Sequence, residues 1–169
     1  MKIIVFSDSH GSSSEMERVI SLHPDAECYI HLGDGYPELE LLRQTYPEKC
    51  FCGIAGNSED WRMAGSPLKP KSETVIELGG YRIFITHGHK YYVKETLYRA
   101  KCAAEERKAD ILLYGHTHRP FFDKVEKADR KPLYIFCPGS IALPYGVSPE
   151  YGVITITPSG IDFSHRYLS

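Results

Sequence analysis

Five of the eight histidines in this chain fall into three short polar clusters, each directly after a β-rich run: Asp8-Ser9-His10, His87-Gly88-His89, and His116-Thr117-His118 behind Gly115. Residues two apart on an extended backbone project to the same side, which would pair Asp8 with His10 and His116 with His118. Two further run ends supply Gly33-Asp34 and Gly56-Asn57, where a glycine lets the chain turn sharply and the next side chain offers an oxygen. Imidazole, carboxylate and amide oxygens converging on one rim are metal ligands. Two aspartates, one asparagine and four or five histidines exceed the roughly three to six donors one ion takes. The inventory suits two ions that share Asp34 as a bridge. Mixed nitrogen and oxygen donors favour Mn, Fe, Ni, Co or Zn over Mg or Ca, whose shells are built of oxygen.

Each motif has a plainer reading when taken alone. Asp8 could only cap a helix, Gly33-Asp34-Gly35 could be only a turn, and Asn57 only an Asx turn. Their recurrence, in order, at successive strand ends argues for a common site. His23 beside Pro24, His31 inside a strand and His165 near the C-terminus lie outside the pattern and are read as structural or solvent-exposed.

Such a rim needs a scaffold that ends several strands along one edge. Lys2–Phe6 is a β-rich run, followed by a helical pattern whose face is marked by Met16, Val19 and Ile20. The unit repeats: residues 27–32 read as a strand, Gly33-Asp34-Gly35 as a turn, and Leu39, Leu41 and Leu42 as the face of a second helix ending before Pro47. A third strand is predicted over 49–54. Alternating strands and helices imply parallel βαβ units, whose ligand sites lie beyond the carboxyl ends of the strands. Residues 61–72, with Gly65, Pro67 and Pro70 and no apolar period, read as a surface loop that can act as a flap. Strands over 74–78 and 81–86 are joined by Gly79-Gly80 as a two-residue hairpin. A helix over 92–108, a strand over 111–114 and further strands over 121–126, 133–136, 151–157 and 161–167 complete the chain.

At 169 residues, 42% hydrophobic and 25% charged, the chain has the makeup of one globular domain spanning residues 1–169. A chain of this length buries about 70% of its unfolded surface, so a metal is needed for chemistry rather than for stability. The net charge of -2 provides no positive field for a nucleic-acid backbone, which argues against a nucleic-acid partner. The longest apolar run, residues 3–6, falls far short of the ~20 residues that span a bilayer, so no membrane association is expected. Met1 leads into a strand pattern rather than a signal segment, and a cytoplasmic location is expected. The five cysteines, an odd number at irregular spacing, read as reduced thiols, with Cys50 and Cys52 buried on one face of a strand.

Asp8-x-His10, Gly33-Asp34, Gly56-Asn57, Thr86-His87-Gly88-His89 and Gly115-His116-Thr117-His118 together resemble the motifs of the calcineurin-like metallophosphoesterases. Within that superfamily, the short length and Gly115-His116-Thr117-His118-Arg119-Pro120 are similar to the small YfcE-type phosphodiesterases, and Pro138-Gly139-Ser140 fits their Asn-Pro-Gly-Ser segment with Cys137 in place of Asn. The resemblance implies an α/β fold, a four-layer α/β/β/α sandwich. It implies that Asp8, His10 and His118 hold one metal, that Asn57, His87 and His116 hold the other, and that Asp34 bridges them. Two divalent ions are then the cofactors, manganese foremost, with Ni, Fe, Co or Zn as alternatives. The activity implied is hydrolysis of a small phosphodiester, in which each metal withdraws charge from a phosphoryl oxygen and a bridging water becomes hydroxide near neutral pH. A homo-oligomer is compatible with it.

One departure bears on mechanism. The superfamily often reads Gly-Asn-His followed by Asp or Glu, the His placed to protonate the leaving alkoxide; here the run is Gly56-Asn57-Ser58-Glu59. A serine hydroxyl is far too weak an acid for that task near pH 7. YfcE-type members also lack the His, so activity on poor leaving groups is expected to fall. His89 is the remaining candidate for the acid, with a supporting hydrogen bond to the metal centre as its other role. The candidate catalytic residues are therefore Asp34, Asn57 and His89. The rival reading is a protein-binding scaffold of the same fold, like the small retromer subunit; such a scaffold is free to lose ligands, and here every position is filled.

Overall fold

The computed structural model describes every residue except Tyr145 and Val147. In chain order its elements are β1 (Lys2–Phe6), α1 (Ser14–Leu22), β2 (Cys28–His31), α2 (Tyr36–Thr45), β3 (Phe51–Gly53), α3 (Asn57–Arg62), β4 (Glu73–Leu78) and β5 (Tyr81–Thr86). They continue with α4 (Tyr98–Glu106), β6 (Ile111–Leu113), β7 (Pro120–Val125), β8 (Leu133–Pro138), β9 (Glu150–Thr157) and β10 (Gly160–Tyr167).

Strand β1 is apolar at consecutive positions because both of its faces are covered. Ile3 and Val5 enter a core shared between two sheets, while Ile4 and Phe6 meet Met16, Val19 and Ile20 of α1 and Leu42 of α2. The same alternation recurs in the second sheet. Ile83, Ile85, Ile111 and Leu113 face the shared core, and Phe84 and Leu112 face Ala100, Ala103 and Ala104 of α4. The result is a four-layer α/β/β/α sandwich. One sheet has the order β10-β9-β1-β2-β3 and the other β4-β5-β6-β8-β7. In each, three strands run parallel (β1, β2, β3 and β5, β6, β8) with antiparallel strands at the flanks. Among the described residues, no helix is long and apolar enough to cross a membrane.

The Gly79-Gly80 hairpin forms as expected, with φ of 60° and 79° at the two glycines. Four sequence expectations need correction. The helix predicted over 92–108 begins only at Tyr98: a 3-10 turn at His89–Tyr91 ends at Tyr92, whose φ of 56° leaves the right-handed helical region. The loop predicted over 61–72 starts later, because α3 runs through Trp61 and Arg62. Leu41 is exposed, since only Leu39 and Leu42 share the buried face of α2. Cys50 precedes β3 and is exposed, its Sγ 3.6 Å from that of buried Cys28, whereas Cys52 packs against the inter-sheet core.

Candidate metal centre

The carboxyl ends of β1, β2, β3, β5 and β6 meet along one rim, and each loop leaving them carries one or two of the predicted ligands. Backbone hydrogen bonds knit the loops together: Asp8 N to Gly33 O (3.0 Å), His10 N to Asp34 O (3.0 Å) and Gly115 N to His87 O (3.2 Å). The extended geometry expected at Asp8–His10 and His116–His118 is not what aims these side chains. Asp8, His10, Asp34, His116 and His118 all have positive φ, between 44° and 69°. Left-handed backbone at non-glycine residues is costly and persists where surrounding structure enforces it. Here it turns each side chain back toward the rim.

All seven predicted ligands are brought together. His118 Nε2 lies 3.2 Å from Asp8 Oδ1 and 3.5 Å from His10 Nε2, and His10 Nε2 lies 3.9 Å from both Asp8 Oδ1 and Asp34 Oδ2. His87 Nε2 lies 3.1 Å from Asn57 Oδ1, 3.6 Å from Asp34 Oδ2 and 3.8 Å from Asp8 Oδ1. The His116 ring is 5.0 Å from that of His87, centroid to centroid. Two sets have ligand atoms within 4.8 Å of one another: Asp8, His10 and His118, and Asp8, Asp34 and His87.

The donor set fits a divalent ion. Asp8 is fully buried; its Oδ2 accepts from the Ser7 hydroxyl and from the His116 N–H (3.1 Å), while Oδ1 is buried without a hydrogen-bond partner. His87 Nδ1 donates to Leu32 O (2.7 Å) and His118 Nδ1 to Leu143 O (2.8 Å), which leaves each Nε2 lone pair facing inward. Lone pairs and carboxylate oxygens that face each other are stabilised by positive charge between them, which a divalent ion supplies without protonating the rings. Two glycines permit this crowding: a Cβ on Gly56 would sit 2.1 Å from Asp34 Oδ1, and one on Gly115 would sit 1.9 Å from Ser7 Oγ.

Electrostatics follow the same geometry. Burial raises the Asp8 carboxyl, but the adjacent imidazoles of His118 and His87 and the Ser7 hydroxyl outweigh it and hold the pKa at about 2. Burial, with the charges of His87 and Lys94, lowers His116 to about 4. The Asp8 carboxylate beside it raises His118 against its partial burial. His89 takes another place: its Nε2 pairs with Asp60 Oδ2 at 2.9 Å, and burial lowers its pKa although Asp60 opposes the shift. Its ring lies 5.4 Å from His87 and 6.1 Å from His116.

The three remaining histidines are partnered elsewhere. His31 Nδ1 accepts from Gly33 N (3.2 Å) and its Nε2 meets Ser9 Oγ (3.0 Å); His23 meets Tyr151 OH (3.0 Å); His165 donates to Cys137 O (2.8 Å). Sequence reasoning passed over Glu59. This buried carboxylate accepts from Asp34 N (3.0 Å) and Gly56 N (2.8 Å) through Oε2, and from Tyr36 N (3.2 Å) through Oε1, clamping two ligand loops. It supplies the returning half of a capping box at the start of α3, from the third helical position to the Gly56 N–H; with glycine as the cap the other half, and the usual Ser or Thr signal, is missing. Ser140, whose hydroxyl donates to Asp8 O at 2.9 Å, was visible only as part of the Pro138-Gly139-Ser140 segment.

A sandwich of two mixed sheets with a histidine- and aspartate-lined rim defines a metallophosphoesterase-type protein. The calcineurin-like phosphoesterase superfamily domain matches residues 1–159. The chain belongs to that superfamily and is a hydrolase of phosphoesters. It is 31% identical to the probable metallophosphoesterase YsnB of Bacillus subtilis over 92% of this chain and 85% of that protein. With phosphodiesterase YfcE of Escherichia coli it shares 28% identity over 91% and 87% of the two chains. Among solved structures, a conserved protein of Streptococcus pneumoniae described as a predicted phosphoesterase superposes with a TM-score of 0.70 at 26% identity, covering 98% of this chain and 97% of the other. A Vps29 double mutant of Entamoeba histolytica superposes at 0.66 with 18% identity over all of both chains, a likeness of fold alone.

Two consequences are measurable on metal-free protein. Glu59→Gln replaces an acceptor oxygen with an amide N–H facing backbone donors, so denaturant unfolding should show a loss of about 1–3 kcal/mol; a loss below about 0.5 kcal/mol would show that the carboxylate does not clamp the loops. Burial lowers the pKa of His31 from 6.5 to about 4 and that of His116 likewise to about 4. The unfolded chain therefore binds more protons than the folded one in this window. Stability is fully present above pH 6.5 and declines as pH falls from 6.5 to about 4. His31→Gln should flatten that limb in urea titrations; an unchanged slope would exclude His31 as a contributor.

Proposed function

We propose that this chain is a metal-dependent phosphodiesterase working at a dinuclear centre within a single domain of residues 1–169. The observation that carries the reading is the convergence of Asp8, His10, Asp34, His87 and His118 in two groups whose ligand atoms lie within 4.8 Å of one another, with Asn57 and His116 against His87. In this reading Asp8, His10 and His118 hold one ion, Asn57, His87 and His116 the other, and Asp34 both. The nitrogen and oxygen donors suit manganese first, then Ni, Fe, Co or Zn. When bound, the ions supply Lewis-acid polarisation of phosphoryl oxygens and bring the pKa of a water nucleophile near neutrality.

The chain's own residues set the rest. Leu32 O and Leu143 O fix the rings of His87 and His118 through Nδ1, and the Ser58 N–H, 2.8 Å from Asp34 Oδ1, orients the bridging carboxylate. Ser58 holds no proton it can give to a leaving alkoxide. The relatives named phosphodiesterase support a diester as substrate, and a small, freely diffusing one suits a chain of net charge -2. A cytoplasmic location belongs to this reading, supported by the free thiols. The scaffold alternative is not favoured, because a scaffold has no need of the complete ligand set.

Asp34→Ala should lower hydrolysis of bis-p-nitrophenyl phosphate to near background and reduce bound metal in elemental analysis, while His165→Ala leaves turnover close to the parent's. Equal losses in the two variants, or a single tetrahedral ion in the parent, would overturn the dinuclear reading. A leaving-group series at fixed pH should show a steep fall in rate as leaving-group pKa rises, since the missing acid forfeits about 10²- to 10⁴-fold on alkoxides. Ser58→His should flatten that dependence. A shallow dependence in the parent that the variant leaves unchanged would mean that another group, His89 first, already delivers the proton.

A further inference from the structure

A cleft of about 50 Å³ adjoins the candidate centre, lined by the ligand candidates His10 and Asp34 and, from outside that set, by Ser58, Glu59, Glu38 and Arg62 among others; Glu59 is already occupied by backbone N–H groups. Space of this kind takes about three or four water-sized groups, which is the size of a short polyol unit. Glu38 stands in the first turn of α2; its Oε2 is enclosed by protein without a hydrogen-bond partner, and its Oε1 lies 3.8 Å from where a Cβ on Gly11, another lining residue next to His10, would be. A carboxylate that the protein leaves without donors on one oxygen draws its hydrogen bonds through the other, and here that oxygen is on the side of the cleft. Arg62 closes α3 and, among the described residues, forms no ion pair with Glu38 or any other acid. The cleft thus presents an acceptor and a fork of donors that do not satisfy each other.

This combination is selective. An ammonium group drawn to Glu38 meets the guanidinium, and a second phosphate drawn to Arg62 meets the carboxylate. A neutral group that both donates and accepts satisfies both. Neighbouring hydroxyls do so, one donating to Glu38 and the next accepting from Arg62. We propose that this cleft binds a hydroxyl-bearing arm of the substrate, so that the preferred diester is a polyol- or sugar-like phosphoester, with Glu38 as a specificity-determining residue. The proposal rests on the reading of the adjoining centre as a phosphodiesterase.

The test compares p-nitrophenyl glyceryl phosphate with p-nitrophenyl propyl phosphate, which share leaving group and length and differ in the two hydroxyls. The parent should prefer the glyceryl ester in kcat/KM by about tenfold or more, the scale of a hydrogen bond to a charged group. Glu38→Ala and Arg62→Ala should bring the ratio toward one. A ratio near one in the parent, or one that Glu38→Ala leaves as it was, overturns the proposal and leaves the centre's reading intact. If Glu38 served only to place negative charge at the start of α2, its loss would lower the melting temperature without moving the ratio. If neither diester is cleaved, the phosphodiesterase reading fails, and calorimetric binding of glycerol 1-phosphate against propyl phosphate decides the cleft. Tighter glyceryl binding that Glu38→Ala abolishes supports it, and equal binding overturns it.

Discussion

The buried carboxylate of Asp8 is the interaction on which this molecule is organised. It is 0% exposed at the seam of two sheets, where an unpaired charge costs several kcal/mol. One oxygen is satisfied by Ser7 and the His116 N–H, and the other faces His118, His10 and His87. The surroundings answer to that placement. Gly115 has no side chain because Ser7 occupies its space, and the Ser140 hydroxyl holds the Asp8 carbonyl. The strained backbone at five ligand positions is tolerable because hydrogen bonds between the loops over-determine it.

The two-sheet architecture makes this convergence economical. Each sheet has a parallel core, and parallel strands send their carboxyl ends to one edge, so stacking two such cores places five loops over a single spot. Glu59 then does from the side what Ser7 and Ser140 do from below: it ties the Asp34 and Gly56 loops through backbone N–H groups, so the oxygens of Asp34 and Asn57 are held in place by the protein itself. A centre assembled in this way needs little reorganisation on binding. The sandwich itself is neutral about function, since a fold hosts chemistry only through the site grafted on it. The likeness to Vps29 in shape and the likeness to YsnB and YfcE in sequence therefore carry different weight.

The periphery divides into groups that serve the rim and groups that do not. His89 leans on Asp60, which also binds Lys69 at 2.7 Å and Lys90 at 3.3 Å, anchoring α3 to the loop after β5. His31, fully buried, fills the space beneath the Asp34 turn and is held neutral by its burial. Histidines in one chain thus perform three tasks, and what separates them is the partner on each ring nitrogen rather than the residue type.

The sequence by itself determined the alternation of strands and helices, the Gly79-Gly80 hairpin and the family, and it marked the seven candidate ligands that the fold brings together. These were legible because they are local: a polar motif after an apolar run, a period of two against a period of 3.6, and a glycine pair at a turn. It did not show that Tyr92 breaks the fourth helix, that Cys50 is exposed, or that Leu41 faces solvent, since each is decided by what packs alongside. Least legible was how the ligands are aimed. Spacing of two suggested extended strands, whereas left-handed turns at Asp8, His10, His116 and His118 point the side chains. That conformation is paid for by hydrogen bonds to residues more than a hundred positions away, such as His116 N to Asp8 Oδ2 and Ser140 Oγ to Asp8 O. The same holds for Glu59 and Glu38, one a satisfied clamp and the other an unsatisfied acceptor, because contacts between distant segments exist only once the two sheets have closed on each other.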